Sequence, residues 1–156
     1  CNRGNNKIVV RNVDVLVDTM QHTAIISADF ELPDYAKFLG NEVYLNMNLS
    51  KPYTGLEIDY PRRKIPIEYD FKSVMRHVVV LELSNGYKVS SVPAVKGYRN
   101  DTWGVDIKTK QEGSRLLYER EFVNSHLYLY PSAFEQWNKV LENLFPMYKQ
   151  AVVLSK

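Results

Sequence analysis

The stretch YPRRKIPIEYDFKSVMRHVVVLELSNGYKVSSVP, residues 60–93, decides the fold that the sequence predicts. Its strongest part runs from Val74 to Leu83, where apolar residues occupy both sets of alternating positions. Alternate side chains of a strand point to opposite faces, so this run predicts a strand covered on one face and partly covered on the other. Ser84-Asn85-Gly86 then predicts a turn that returns the chain through Tyr87–Val92. We therefore predict a β-hairpin here.

One face of the predicted strand carries Val78 and Val80, with Arg76 and Glu82 at their margins. The other face carries His77 among apolar side chains, where a hydrogen-bonded core histidine is the ordinary arrangement. We predict that the face of Val78 and Val80 contacts a neighbouring element.

Length and composition indicate a globular protein. The chain has 156 residues, of which 45% are hydrophobic and 24% are charged, enough for one domain with a core. A net charge of +2 and scattered basic residues argue against a nucleic-acid partner. No apolar run approaches the roughly 20 residues that a membrane span needs. The sequence has no glycine-rich phosphate loop and no metal-ligand spacing, so it predicts no cofactor and no metal site.

The chain begins with its only cysteine, Cys1. Cleavage just before a cysteine is how bacterial lipoproteins mature, and in that interpretation Cys1 carries a lipid anchor. The segment 1–6, rich in asparagine and glycine, would then be a flexible tether. In the alternative interpretation, Cys1 is simply where a domain fragment begins.

Alternation of apolar and polar residues predicts further strands upstream. The runs Lys7–Asp18 and Gln21–Leu32 predict two half-buried strands joined by a short turn. In the first run we expect Val9, Val13, Val15 and Val17 to share the buried face. Glu42–Leu49 predicts a third strand with one wet face. Ser50–Arg63 is an irregular connection, and Ile65–Phe71 predicts an edge strand because Pro66 cannot donate a ladder hydrogen bond.

The second half predicts another hairpin and then a helix. Gln111-Glu112-Gly113 joins Trp103–Thr109 to Arg115–Val123, and Leu127–Tyr130 is a candidate short strand. After Pro131 the apolar spacing changes to three and four residues, which predicts an amphipathic helix at about 132–146.

The ends of that helix carry their own signals. Ser132 and Glu135 form a capping-box pattern, and Pro146 should end or kink the helix. Ala151–Leu154 predicts a last strand. The predicted fold is mainly β, an antiparallel β-sandwich with one C-terminal amphipathic helix and a short final strand. It forms a single domain over residues 7–156.

No catalytic constellation emerges from the residue types that do chemistry. The only thiol lies in a polar terminus, and a nucleophile must be held against its partner. His22, His77 and His126 share no metal-ligand spacing, and the carboxylates are spread over solvated faces. We therefore predict no catalytic residue and no enzyme activity for this chain.

Aromatic residues give one softer signal. Several lie in or beside predicted loops, where they can form a stacking surface for sugars or peptides. In the alternative, such aromatics plug the open ends of a sandwich. The predicted ligand surface comprises Tyr53, Tyr98, Trp103 and Tyr128. Tyr60 is a further aromatic residue in a predicted loop.

Several of these segments together resemble a known family. Arg63-Lys64-Ile65-Pro66, the extended run to Phe71 and the strand ending LELSNGYKVSSVP are similar to a C-terminal domain of unknown function in bacterial transglutaminase-like proteins, especially of Bacteroidetes. Leu117-Tyr118-Glu119-Arg120, the aromatic helix after Pro131 and the closing strand fit the same resemblance. The similarity runs from about Glu42 to Lys156 and is weaker before Glu42.

The resemblance implies an accessory, non-catalytic domain of an exported protein in the periplasm or cell envelope. Its partner would be an adjacent transglutaminase-like domain, whose Cys-His-Asp triad would do any chemistry, or another envelope protein. The alternative is a stand-alone, lipid-anchored envelope module that binds glycan or peptide and touches the membrane only through Cys1. A small hydrolase is a third hypothesis, and no residue of the chain supports it.

Overall fold

The computed structural model of the chain describes residues 8–84, 86–94 and 97–156. Three predictions lie partly or wholly outside these residues: the flexible segment 1–6, lipid attachment at Cys1, and the turn conformation at Asn85. The chain divides into two compact units, one ending at Lys37 and one spanning Phe38–Lys156. The single domain over residues 7–156 stays a prediction.

The first unit is the predicted hairpin of two antiparallel strands. Strand β1 (Val9–Asp18) pairs with strand β2 (Thr23–Glu31). The Asp18 carboxylate accepts hydrogen bonds from the backbone N–H groups of Met20 and Gln21, at 2.9 Å each. An aspartate that binds backbone donors two and three residues ahead stabilises a turn locally, which explains why the chain reverses here.

A β-bulge at Asn12 changes which side chains share a face of β1. Asn12 has a φ of +50°, and its side-chain amide donates to the Asp29 carboxylate at 2.7 Å. The bulge places two residues of β1 opposite one of β2, which reverses the alternation. Val10, and not Val9, therefore shares a face with Val15. The prediction that Val9 belongs to that face is wrong, because the alternation of residues in the sequence does not reveal the extra residue of a bulge.

The apolar face of this hairpin is open within its own unit. Val15, Val17 and Ile26 are 59%, 62% and 72% exposed. A two-stranded sheet has no second layer to cover such a face, and a lone hairpin is marginally stable in water. The predicted half-burial of these two strands is therefore wrong for the described structure of this unit.

The second unit holds the remaining strands and the helix. Its strands form two four-stranded sheets, in the orders β6-β10-β9-β8 and β3-β4-β12-β7, and a short pair β5-β11. The strands of the described residues are β3 (Lys37–Leu39), β4 (Glu42–Leu45), β5 (Ile67–Glu68), β6 (Ser73–Glu82), β7 (Lys88–Ser91), β8 (Tyr98–Arg99), β9 (Trp103–Glu112), β10 (Arg115–Asn124), β11 (Tyr128–Leu129) and β12 (Val152–Ser155).

The predicted hairpin of residues 74–92 is wrong, although both of its strands exist. Strand β6 pairs with β10, whereas β7 pairs with β12 in the other sheet. The local turn is present, since the Tyr87 N–H donates to the Ser84 carbonyl at 3.1 Å. A turn signal is local, while the choice of strand partner depends on distant segments. Here the turn carries the chain from one sheet to the other.

The second predicted hairpin is confirmed. Strands β9 and β10 pair in continuous register over ten residues each, and Gly113 in the connecting turn has a φ of +58°. Glycine adopts this left-handed conformation without steric cost. The predicted short strand at Leu127–Tyr130 is confirmed as β11, and the predicted strand at Ile65–Phe71 shortens to β5.

Helix α1 (Phe134–Met147) follows a 3-10 turn at Pro131–Ala133. The predicted capping box is wrong: the N-cap residue is Ala133, which has no side-chain cap hydrogen bond. The 3-10 turn occupies Ser132 and moves the helix start one residue beyond the position that the box needs. The predicted effect of Pro146 is confirmed, because the helix ends at the next residue.

The core of this unit lies between one face of the β6-β10-β9-β8 sheet and α1. The predicted apolar stripe of the helix is confirmed as its buried face. The buried hydrophobic residues of the sheet and the helix include Val105, Ile107, Leu116, Tyr118, Phe122, Phe134, Trp137, Leu141 and Leu144. The predicted fold class is confirmed: the chain is mainly β with antiparallel pairing, one C-terminal helix and a short final strand.

The irregular connection between β4 and β5 is attached to α1 by side-chain hydrogen bonds. The Asn138 amide bonds both backbone groups of Ile58, accepting from its N–H at 2.9 Å and donating to its carbonyl at 2.8 Å. The Trp137 indole N–H donates to the Leu56 carbonyl at 3.0 Å. These bonds satisfy partly buried backbone groups outside the strands, and they hold the connection against the helix.

Candidate functional site

The structure places the four predicted ligand-surface aromatics in four different segments of the chain. Tyr53 is half-buried in the connection between β4 and β5, and Tyr128 is exposed on β11. Tyr98 lies on β8, where its hydroxyl accepts a hydrogen bond from the Gln136 amide at 2.8 Å. Trp103 is only 3% exposed at the start of β9. The expectation that Trp103 is an exposed loop aromatic is therefore wrong.

Tyr53 and Trp103 meet the same ring, that of Trp137 on α1. Both lie edge-on to Trp137 with ring centroids 5.9 Å apart. Tyr53 also stacks on Phe122 of β10, with centroids 4.0 Å apart and planes 24° apart. Offset-stacked and edge-on pairs are the favoured geometries of aromatic rings. Together these four rings form one cluster that joins the sheet, the helix and the connection.

Backbone strain accompanies the position of Tyr53. Its φ is +66°, a left-handed conformation that non-glycine residues rarely adopt. Such a conformation costs free energy and persists only where the surroundings over-determine it. Stacking on Phe122 provides that compensation.

An open cavity of about 240 Å³ lies beside this cluster, and we call it the aromatic cleft. Its walls come from the connection, the segment after β5, strand β10 and helix α1. The lining residues are Tyr53, Glu68, Tyr69, Asp70, Phe71, Ser73, Phe122, Asn124 and Trp137.

Two carboxylates, Glu68 and Asp70, are the charged groups that line the aromatic cleft. The Tyr128 hydroxyl donates to Glu68 Oε1 at 3.0 Å, and this bond to a carboxylate raises the pKa of Tyr128. Burial raises the pKa of Tyr53 and of Tyr69 in the same cleft. At neutral pH the lining is therefore acidic and aromatic.

Tyr53 and Tyr128 of this region were predicted from the sequence, whereas Glu68 and Asp70 were not. The available signal was the run Glu68-Tyr69-Asp70-Phe71, in which acidic and aromatic residues alternate. The sequence predicts a strand over this run, and in a strand alternation sends the two kinds of side chain to opposite faces. The strand ends at Glu68, and the backbone bends at Asp70 and Phe71. All four side chains can therefore line one cleft.

A buried polar cluster lies on the same sheet face as the aromatic cluster. Arg120 is 3% exposed and donates to Asn48 Oδ1 at 2.9 Å and to the Ser50 carbonyl at 3.1 Å. Its guanidinium also lies 5.0 Å from the centroid of the Tyr148 ring. The Tyr118 hydroxyl donates to the same Asn48 oxygen at 2.7 Å. Hydrogen bonds and a cation–π contact thus compensate for burial of the charge.

Tyr148 completes this cluster as a neutral donor. Its hydroxyl donates to the Pro52 carbonyl at 2.9 Å, and burial raises the pKa of Tyr148 to about 12. The bond fixes the start of the connection that carries Tyr53. The cluster therefore positions a wall of the aromatic cleft and needs no protonation change at neutral pH.

His77 lies directly opposite Arg120 in the register of β6 and β10. Burial lowers the pKa of His77, and the nearby guanidinium of Arg120 lowers it further. Its buried Nε2 atom has no hydrogen-bond partner among the described residues. The prediction of a core histidine is right in its location on the inner face. Within the part of the chain that the structure describes, the Nε2 atom of His77 does not make the kind of hydrogen bond that is usual for a core histidine.

Within residues 8–84, 86–94 and 97–156, no group of three or more histidine, cysteine, aspartate or glutamate side chains could hold a metal ion. None of the described helices is long and apolar enough to cross a membrane.

Comparison with known proteins identifies a solved structure with a similar fold. A search of curated proteins finds no match to this sequence. Among solved structures, a protein of Parabacteroides distasonis ATCC 8503 described as a "putative protease" matches with a TM-score of 0.57 and 10% sequence identity. The match covers 79% of this chain and 25% of that chain, so the chain spans about a quarter of that protein's length. At this identity the similarity shows the fold alone.

A protein-family comparison is more specific. Residues 41–154 match the family described as "Domain of Unknown Function with solved-structure structure (DUF3858)". The matched range covers most of the chain and contains the aromatic cleft and the buried polar cluster. This chain therefore belongs to the DUF3858 family of domains of unknown function.

Proposed function

We propose that this chain is a non-catalytic interaction domain of an exported transglutaminase-like protein, and that any catalysis belongs to an adjacent domain. The proposal rests on the resemblance of residues 42–156 to a C-terminal domain of such proteins. The Parabacteroides protein is consistent with it, because the fold of this chain occupies only a quarter of that longer chain. Periplasmic or cell-envelope localisation is part of the same proposal.

One observation carries the proposal furthest, namely the apolar face of the β1–β2 hairpin. Val15, Val17, Ile26 and Phe30 are each at least half exposed. Exposed apolar faces of this kind mark sites of protein interaction, because the exposure of apolar surface to water is unfavourable in free energy. A two-stranded hairpin also needs a second layer to be stable. An adjacent domain that packs on this face would meet both requirements.

The test uses the longer open reading frame that would contain this chain. Ile26→Asp and Val15→Asp place charges on the apolar face of the hairpin, whereas Ser27→Asp places the same charge on its opposite face. We expect the two apolar-face variants to separate the domains, seen as faster proteolysis between them and two thermal transitions instead of one. Ser27→Asp should behave as the unmodified protein.

The reading frame itself provides the decisive control. An upstream Cys-His-Asp domain is required by the proposal, and enzyme activity should then be compared with and without residues 8–156, which include the hairpin. A short leader that ends just before Cys1 would overturn it. Such a leader would favour the second candidate, a lipid-anchored envelope module that binds glycan or peptide. The aromatic cleft is the observation that supports that candidate.

A further inference from the structure

The aromatic cleft has a chemical character that points to one class of ligand. The rings of Tyr53, Tyr69 and Phe71 reach its surface, while Phe122 and Trp137 form its buried floor. Glu68 and Asp70 add two negative charges, and none of the lining residues is a lysine or an arginine. Aromatic rings and carboxylates together attract cations, the rings through their quadrupole and the carboxylates through their charge.

The hydrogen bonding of the two carboxylates also favours a cationic ligand in the cleft. Glu68 bonds the Tyr128 hydroxyl through Oε1, which leaves Oε2 for another donor. In the part of the chain that the structure describes, no hydrogen bond or ion pair joins Asp70 to another residue. Ser73 and Asn124 add neutral polar groups to the wall. The cleft thus offers acceptors that the fold itself does not use.

Size separates the candidate cationic ligands. A volume of about 240 Å³ lies below the roughly 300–1,000 Å³ of pockets that enclose whole small molecules. It suits a single long side chain with an apolar stem and a charged end. Lysine and arginine side chains bury their methylene stems on apolar surface while the charged end meets polar groups.

We infer that the aromatic cleft binds the side chain of a lysine or arginine presented by a peptide segment of a partner protein. The stem of that side chain packs on Tyr53 and Phe71, and its cationic end meets Glu68 and Asp70. This inference does not depend on an adjacent transglutaminase-like domain, because it concerns a site built wholly within residues 53–137.

The test compares peptides that differ only in charge. We propose to titrate the full chain with the tripeptides Gly-Lys-Gly, Gly-Arg-Gly and Gly-norleucine-Gly, all blocked at both ends, and to follow amide shifts by NMR. Norleucine keeps the apolar stem and lacks the ammonium group. We expect shifts centred on the cleft, with at least tenfold tighter binding of one cationic peptide than of the norleucine peptide, and weaker binding at high salt.

Matched variants locate the binding site. Asp70→Asn and Glu68→Gln should each weaken binding of the cationic peptide at least fivefold. Glu142→Gln removes the same charge from an exposed position on α1 outside the cleft and should leave binding unchanged. Equal binding of the norleucine peptide, equal effects of all three variants, or binding of a neutral chitooligosaccharide with no binding of the cationic peptides would each overturn the inference.

Discussion

The ring of Tyr53 stacks on the ring of Phe122, with centroids 4.0 Å apart and planes 24° apart. The first residue belongs to an irregular connection and the second to β10, an inner strand of a four-stranded sheet. The stack therefore attaches the connection to the core, and it holds Tyr53 at a φ of +66°. Aromatic pairs typically contribute about 0.5–1.5 kcal/mol beyond the burial of their surface.

Replacement of Phe122 by alanine should strongly destabilise the second unit. Phe122 is buried and contacts both Tyr53 and Trp137, so its loss leaves a cavity beneath the connection. We expect Phe122→Ala to lower the free energy of unfolding by about 3–5 kcal/mol, measured by urea denaturation. Phe71→Ala, at a residue that is 69% exposed, should change it by no more than about 0.5 kcal/mol. Equal losses would show that Phe122 is not part of the core.

The features that could be predicted best from the sequence are those that a local residue pattern determines. The β9–β10 hairpin and the apolar stripe of α1 have long, uninterrupted periodicity, and both are confirmed. The turn after β6 was equally clear, yet β6 and β7 enter different sheets. Local residues specify that the chain turns, but the partner of each strand is chosen by burial against distant segments. No local signal distinguishes these two outcomes.

Prediction of the aromatic cleft failed in part for a related reason. Tyr53 was identified because aromatic residues in loops are conspicuous. Trp103 begins a strand as predicted, but it is buried rather than exposed because it packs against Trp137 of α1. Glu68 and Asp70 join the cleft only because the chain bends after β5. Such a bend follows from packing against other elements, which the periodicity of a short segment does not encode.

Asn48 links the side chains of the buried polar cluster. Its replacement should therefore lower the free energy of unfolding by more than the loss of a small side chain usually does. Its carbonyl oxygen accepts from Tyr118 and Arg120, and its amide donates to the Met147 carbonyl at 3.2 Å. Asn48→Ala would leave a buried charge and a buried hydroxyl without this acceptor. We expect a loss of about 3 kcal/mol or more in the free energy of unfolding, since each unsatisfied buried group costs about 1–3 kcal/mol.

The matched control for Asn48 is Asn143→Ala on the exposed side of α1. Among the described residues, the Asn143 amide donates to the Lys139 carbonyl within the same helix and to no other group. Alanine is the stronger helix former, so this variant should be neutral or slightly more stable. If both alanine variants unfold at the same urea concentration as the unmodified protein, the buried cluster does not stabilise the fold.

His77 should make the stability of the fold fall in mildly acidic solution. Burial and Arg120 lower its pKa in the folded protein below the value of 6.5 that it has when unfolded. Between those two pKa values the unfolded chain binds more protons than the folded one, so stability decreases as pH falls. The contribution of the neutral histidine is complete above pH 6.5 and is lost as pH drops through 6.5 towards the folded pKa.

The variant His77→Gln isolates this effect. Free energies of unfolding should be measured for both proteins between pH 8 and about pH 5, a range above the ordinary carboxyl pKa values. We expect the slope of stability against pH to be smaller in the variant. Carboxyls with a lowered pKa, such as Glu119 beside Arg76, lose their contribution only at lower pH and do not mask the difference. Identical slopes in the two proteins would contradict the assignment.

Val80 tests whether the outer face of β6 is a contact surface. It is 53% exposed and lies opposite Leu117 of β10, on the face that also carries the Arg76–Glu119 and Arg115–Glu82 ion pairs. In the isolated chain, Val80→Asp should lower the free energy of unfolding by only about 0.2–1 kcal/mol, the size of one cross-strand pair. Val79→Asp points to the opposite face, beside buried Tyr118, and should cost several times more.

The same two variants in the longer protein decide our prediction that this face contacts a neighbouring element. β6 is an edge strand, and such strands are common sites for another segment to dock. If the face is covered there, Val80→Asp should destabilise the longer protein by about as much as Val79→Asp, because it would bury an unpaired carboxylate. If Val80→Asp remains as mild in the longer protein as in the isolated chain, the face is open to solvent and the prediction is wrong.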